Sequence, residues 1–234
     1  MSNHARDDLD ARLAAEAIRL FRRYQIEVVE AFDLCPWARA ARTHGRVRER
    51  VVTHPDLDVE PALAAIAELA ADPEVEIGIV LFPRVEVERP IFQRFVAEVR
   101  ALDERRDQPD PFAMAEFHPC APAVLEPAGA FTSFVRRTPD PTIQLVRRSA
   151  LSRVRRRDDH GSGFFDLAMV HTLEVQSGPH DGVDGEASTS NDAPLHERVL
   201  DRNRETVARE GLARLDALFA SLLAERDASY RRFR

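Results

Sequence analysis

Apolar residues recur every three or four positions from Leu9 through Leu13, Ala17, Leu20, Tyr24, Val28 and Ala31. That period lines one face of a helix and predicts one from about Asp7 to Phe32, ended before Pro36. Arg46 to Thr53 reads as a strand carried by Val47, Val51 and Val52 among arginines. Asp58 is a suitable N-cap for a helix through Leu63, Ile66, Leu69 and Ala70, which Asp72-Pro73 closes. Val75 to Phe82 (VEIGIVLF) becomes apolar on both faces in its second half, as a central parallel strand does. Pro90 suits the first turn of the next helix, whose buried stripe is Ile91, Phe95, Val99 and Leu102. A polar loop, DERRDQPDP, leads to a third strand, Phe112 to Phe117.

The pattern then becomes helical and irregular. Ile143, Val146, Ala150 and Val154 predict a helix from Thr142 to about Arg155. Asp158 to Gly163 is a break, and Phe164 to Glu174 is an apolar stretch with no dominant period. Gln176 to Pro194 is polar and rich in Gly and Ser, and reads as a flexible loop. A last helix is expected from about His196 to Arg226, packed through Val199, Thr206, Leu212, Leu215, Leu218, Phe219 and Leu222. Strands alternating with helices predict one α/β domain over residues 1–234. Its sheet is expected to be small and mainly parallel, with right-handed crossover helices, wrapped by the N- and C-terminal helices.

Composition narrows the chemistry. The 234 residues are 44% hydrophobic, enough for one substantial core, and the net charge is −7. That charge does not suggest general affinity for nucleic acid or membranes. No apolar run approaches the roughly 18 residues of a membrane span, and the charged N-terminal stretch is unlike a secretory signal, so a cytoplasmic protein is expected. All 33 basic residues are arginine. Without lysine there is no Schiff base, pyridoxal-phosphate anchor or P-loop lysine. Neither G-x-G-x-x-G nor G-x-S-x-G occurs. No cofactor is called for.

Three motifs place reactive or charged side chains beside prolines at element junctions: LCPWA (Leu34 to Ala38), FHPC (Phe117 to Cys120) and RRTPDP (Arg136 to Pro141). Ligands in open α/β sheets bind at the carboxyl ends of strands, which are expected here at Pro83-Arg84 and His118-Pro119. His118 is thus placed to act as a general acid or base, or else to cap a neighbouring carbonyl. Cys35 is either a thiolate steadied at the start of a helical turn or a small buried hydrophobe. Arg136, Arg137 and Thr138, ahead of the expected helix, suit an anion held at its N-terminus, or a solvated turn. Arg84 joins them at a strand end. Asn203 lies on the inward line of the last helix, to brace a loop or touch a ligand. Cys35, His118 and Cys120 do not form a recognised zinc spacing, so no metal is assigned. Asp33, Glu116 and Asp140 are the carboxylates nearest the motifs and form no evident pair.

In this order the motifs resemble a bacterial family known as domain of unknown function 1415. The likeness rests on Leu34 to Ala38, on Phe117 to Pro119, on Arg137 to Pro141 with Leu145 and Arg147, and on Arg202-Asn203. It runs from the first helix through Arg153 and resumes in the last helix. The chain departs from the family at Arg136, where asparagine is usual, at Cys120, and in a longer stretch from Arg156 to Pro194. The resemblance implies no established activity. It implies that Cys35, His118, Arg137 and Asn203 gather at one site.

Three functional readings follow. One is an enzyme or enzyme-like binder of a small anionic molecule, with His118 moving a proton, Arg137 holding the anion, and Cys35 a nucleophile or a pocket wall. Another is a non-catalytic interaction or regulatory module. The third is monothiol redox work at Cys35. Neither a membrane nor a nucleic-acid partner is expected.

Overall fold

The computed structural model describes residues 3–32, 34–106, 110–121, 136–152 and 211–233. The expected segments at 164–174 and 176–194, the start of the last helix, and Asp33 and Asn203 lie outside these residues. At the centre is a four-stranded sheet of β1 (Val47–Val51), β2 (Ile77–Leu81), β3 (Phe112–Phe117) and β4 (Thr142–Arg147), in the order β1-β2-β4-β3. β1 and β2 are parallel, while β4 runs antiparallel to both β2 and β3. The sheet is therefore mixed rather than mainly parallel. Among the described residues no helix is long and apolar enough to cross a membrane.

The reversal comes from the segment whose spacing predicts a helix. Thr142 to Arg147 is a strand, and the described residues after it, 148–152, are helical. Ile143, Leu145 and Val146 satisfy a strand as well as a helix. β-branched residues favour the pleated position open between β2 and β3. Ile143 and Leu145 are fully buried there.

Strand alternation divides the core. Ile77, Ile79 and Leu81 point to a layer formed by α1 (Asn3–Tyr24) and α5 (Leu212–Tyr230), with Leu13, Leu20, Leu215 and Leu222. Val80, Ile143, Leu145 and Met114 point to the other layer, formed by α3 (Val59–Ala71) and α4 (Arg89–Asp103). Phe82, Phe92 and Phe95 pack together there, Phe82 edge-on to both others. β1 is an edge strand with every residue half-buried. Glu49 pairs with Arg22 of α1 on one side and Arg50 with Glu68 of α3 on the other. Charges on both sides of an edge strand guard it against pairing with a second sheet.

The helix ends follow local chemistry. Asp58 caps α3 as expected, accepting the Glu60 N–H at 3.1 Å. At the other end of α3 the buried Arg147 donates to the carbonyls of Ala70, Asp72 and Val75 at 2.7–2.9 Å, and its guanidinium stacks on Phe112. A cation over the last carbonyls of a helix satisfies groups that have no partner within it. The first helix is interrupted rather than continuous to Phe32. After Tyr24 the residues Gln25–Glu30 form a π-helix, in which Ala31 N–H reaches Ile26 and Leu34 N–H reaches Val29. The wider turn accompanies a buried Glu30 that takes both Nε and Nη2 of Arg42, at 2.6 and 2.8 Å.

Gly78 of β2 is closely packed between α3 and β4. A Cβ there would lie 3.0 Å from Leu69 Cδ1, 3.1 Å from Leu145 Cδ1 and 3.3 Å from Leu145 Cβ. Gly78→Ala is expected to cost about 1–3 kcal/mol in urea unfolding, because Leu145 Cβ is held by its own strand and cannot turn aside. Unchanged stability would show that the two layers give way more easily than this packing implies.

Candidate functional site

Cys35 sits at the N-cap of α2 (Pro36–Thr43), with extended backbone angles of φ −147° and ψ 90°. Pro36 occupies the first turn, where a missing N–H does no harm. The Cys35 side chain is half-buried and does not cap the helix. Phe32, three residues earlier, is buried and faces α5, where the Arg214 guanidinium lies 5.4 Å from its ring centroid.

The RRTPDP segment lies between β3 and β4 and is fixed from both sides of the sheet. Arg136 donates to both carboxylate oxygens of Glu116 at 3.0 Å. Glu116 also receives Arg89 at 3.1 Å and Gln93 at 2.9 Å, both from α4. Burial alone would raise this carboxyl, but Arg136, Gln93 and Arg89 outweigh it and hold it below the ordinary carboxylate range. Arg137 turns the other way. It pairs with Asp216 of α5, and its guanidinium carbon lies 4.2 Å from the Phe219 ring centroid. Thr138 is buried and donates to the Asp140 carbonyl at 2.7 Å, as does Thr142.

No helix begins after this segment, so the expected anion site at a helix N-terminus does not form there. Instead the Asp140 carboxylate is itself the anion that the segment presents. It is almost wholly buried, with Arg226 Nε 2.8 Å from Oδ1 and the Tyr230 hydroxyl 2.7 Å from Oδ2. Burial pushes the Asp140 carboxyl upward, against the pull of the Arg226 guanidinium. Burial and the Asp140 carboxylate together raise the Tyr230 phenol.

His118 follows β3 as expected, with its backbone N–H on the Arg136 carbonyl at 3.0 Å. Its ring is 2% exposed and packs 5.9 Å from Phe92 on the α3–α4 side. Nε2 lies 3.1 Å from the Val87 carbonyl, and Nδ1 accepts the Cys120 N–H at 3.1 Å. One nitrogen donates and the other accepts, which is the neutral tautomer. Burial pushes the imidazole below its ordinary value. The Val87 carbonyl opposes this, and Arg89 and Arg226 reinforce it.

The predicted residues therefore fall into separate neighbourhoods. Arg136 and His118 share the α4 side with Glu116. Arg137 faces α5, on the same stretch that meets Phe32 of the Cys35 segment. Arg84 contacts neither group by its side chain, although its loop touches both, through Phe82 N–H on the Pro141 carbonyl and the Val87 carbonyl at His118 Nε2. It follows β2, donates to the Thr53 carbonyl at 3.3 Å and forms an ion pair with Asp10 at 2.7 Å. Cys120 is exposed. Among the described residues no group of three or more His, Cys, Asp or Glu could hold a metal ion. Asp216, Arg226 and Tyr230 were not singled out by the sequence, and Glu116 only as a carboxylate near a motif. Of these, Glu116 alone carried a signal, as the one charge inside the strand FAMAEF.

Together these features define a three-layered α/β protein with a mixed sheet, whose proline-flanked motifs are anchored to the strand ends and to the C-terminal helix. Residues 16–162 match the family described as "Protein of unknown function (DUF1415)", and the chain belongs to that family. Comparison with curated proteins and with solved structures gave no match.

The His118 geometry has a consequence for stability. A histidine kept neutral by its fold contributes stability that is present above its unfolded pKa of about 6.5 and is lost as pH falls through the lower folded value. His118→Phe should be less stable at pH 7, with a shallower loss of stability between pH 6.5 and 5 than the parent, measured by urea unfolding at each pH. Parallel pH profiles would contradict the buried neutral imidazole.

Proposed function

We propose that this protein binds a small anionic molecule on the α1–α5 side of the sheet, with Arg137 as the anion's partner and Cys35 in the wall of the site. The observation that carries the reading is the stretch of α5 from Arg214 to Phe219. One end meets Phe32, close before Cys35 in the chain, and the other holds Arg137. Five residues of helix advance about 7.5 Å, so both motifs attach within little more than one turn. Asp216 is 42% exposed, and a half-exposed ion pair is weak enough for a ligand carboxylate or phosphate to replace it on Arg137. A thiol near that cation would ionise more readily and could serve as a nucleophile toward the bound anion. Arg136 and Thr138 hold Arg137 in place. His118 supports the strand end by its two backbone bonds.

A second reading, a non-catalytic interaction module, is favoured by that same histidine. Both of its ring nitrogens are occupied by backbone groups, which suits a structural brace.

The two readings part at the Cys35 thiol. In a Cys120→Ala background, pH-dependent alkylation should give a Cys35 pKa at least one unit below the reference of about 8.5, rising toward it in Arg137→Ala. His118→Ala, altering the opposite side of the sheet, should leave it unchanged. A thiol at the reference value and indifferent to Arg137 would favour the interaction module.

A further inference from the structure

A separate cleft opens where the parallel strands β1 and β2 part. The ladder continues one residue beyond β1, with Val52 N–H on the Leu81 carbonyl at 2.9 Å. The chain after β1 then turns through Thr53 and Pro55 toward α3, while the chain after β2 turns through Arg84 toward α4. The first turns of α1 close the third side. The space between them is about 610 Å³, within the size range of small-molecule sites. It lies at the carboxyl ends of adjacent strands, where open α/β sheets take their ligands.

Its lining is both charged and apolar. Arg6, Arg50 and Arg84 face two carboxylates, Asp10 and Glu68, leaving one surplus positive charge in a chain whose net charge is −7. Each cation is held differently. Arg84 is fixed by the Thr53 carbonyl and Asp10, with 22% of its side chain exposed. Arg50 pairs with Glu68 at 2.7 Å, but the two are 40% and 63% exposed. Such surface pairs contribute little, so a ligand can take the place of Glu68. Arg6 is exposed and makes no ion pair among the described residues. His54 Nδ1 lies 3.3 Å from the Asp56 N–H, and its Nε2 has no partner among the described residues. Val51, Pro55, Pro61 and Ala64 complete the lining with small apolar surface.

We propose that this cleft binds a small organic anion, a short-chain carboxylate or phosphate ester. Arg6 and Arg50 take its charged end, Arg84 anchors the wall behind them, and the small apolar residues accept its hydrocarbon part. None of these residues belongs to the Arg137–Cys35 region, so this site stands or falls independently of the one proposed there.

Titration calorimetry on the full chain carrying Arg137→Ala, at low salt with succinate and glycerol phosphate as probes, tests it without the anion site proposed at Arg137. Saturable one-to-one binding of either probe is expected, and which of them binds identifies the charged group. Affinity should fall about tenfold in Arg6→Gln and in Arg50→Gln, the loss expected for a charge-assisted hydrogen bond. Both positions are on the surface, so the variants should fold, which circular dichroism would verify. Arg94→Gln, on the exposed face of α4, should bind as the parent does. Absence of saturable binding with both probes would overturn the proposal. So would equal affinity in Arg6→Gln and Arg50→Gln, or an equal loss in Arg94→Gln, which would indicate general charge attraction.

Discussion

Asp140 is a carboxylate with almost no access to water, and the rest of the architecture is organised around keeping it satisfied. Moving such a group out of water costs several kcal/mol unless its oxygens are paired. Here Arg226 takes one oxygen and Tyr230 the other, while the Asp140 carbonyl accepts the hydroxyls of Thr138 and Thr142. Arg226 and Tyr230 lie on one face of α5, one turn apart. The carboxylate therefore ties the loop before β4 to the C-terminal helix across 86 and 90 residues of sequence. Prolines on both sides of Asp140 stiffen the loop and limit its other conformations. Well-packed apolar residues often match the energy of a pair this buried, whereas removing one partner leaves an uncompensated charge.

That attachment sets what the neighbouring arginines can do. With Asp140 directed at α5, Arg137 reaches the same helix at Asp216 and Phe219, while Arg136 turns to Glu116 on the other side. Two consecutive arginines thus serve opposite faces of the sheet. The consequence is chemical. Arg136 is neutralised in a buried cluster, whereas Arg137 remains at a half-exposed ion pair. The imidazole of His118 belongs to the buried side, and the Cys35 segment to the α5 side. Among the described residues, His118 and Arg136 thus face α4 and Arg137 faces α5, although the Arg226 charge of α5 still bears on the imidazole.

Much of the fold was legible from pattern. β2 and β3 stood out because both are buried on two faces, and α3 because it begins with a recognisable cap and shows a clear stripe. α4 was marked by its proline, but its buried face is set by Phe92, Phe95, Val96 and Val99, while Ile91, expected inside, is 41% exposed. β1 was faint because an edge strand tolerates arginine and glutamate. β4 was misread for a physical reason. The spacing of Ile143, Val146 and Ala150 suits a helix, and the slot between β2 and β3 that made it a strand is a tertiary feature absent from the local sequence. The reversal of β4 also made the sheet mixed. At the motifs, prolines identified the stiff junctions but not their partners. Glu116, Asp216, Arg226 and Tyr230 lie 20 to 90 residues from the arginines or Asp140 they engage. The π-helix at Gln25–Glu30 shifts the apolar face by one residue, so Ala31, expected inward, is exposed and Phe32 is buried in its place.

The dependence of these arrangements on Asp140 can be read by hydrogen exchange in Asp140→Asn. This substitution keeps the shape, removes the charge opposite Arg226, and alters the acceptor of the Tyr230 hydroxyl. Protection should fall together at the start of β4 and in the C-terminal half of α5, while β1, β2 and α3 keep theirs. Full protection of α5 in the variant would show that its apolar face alone holds the helix, and would contradict the organising role of the buried carboxylate.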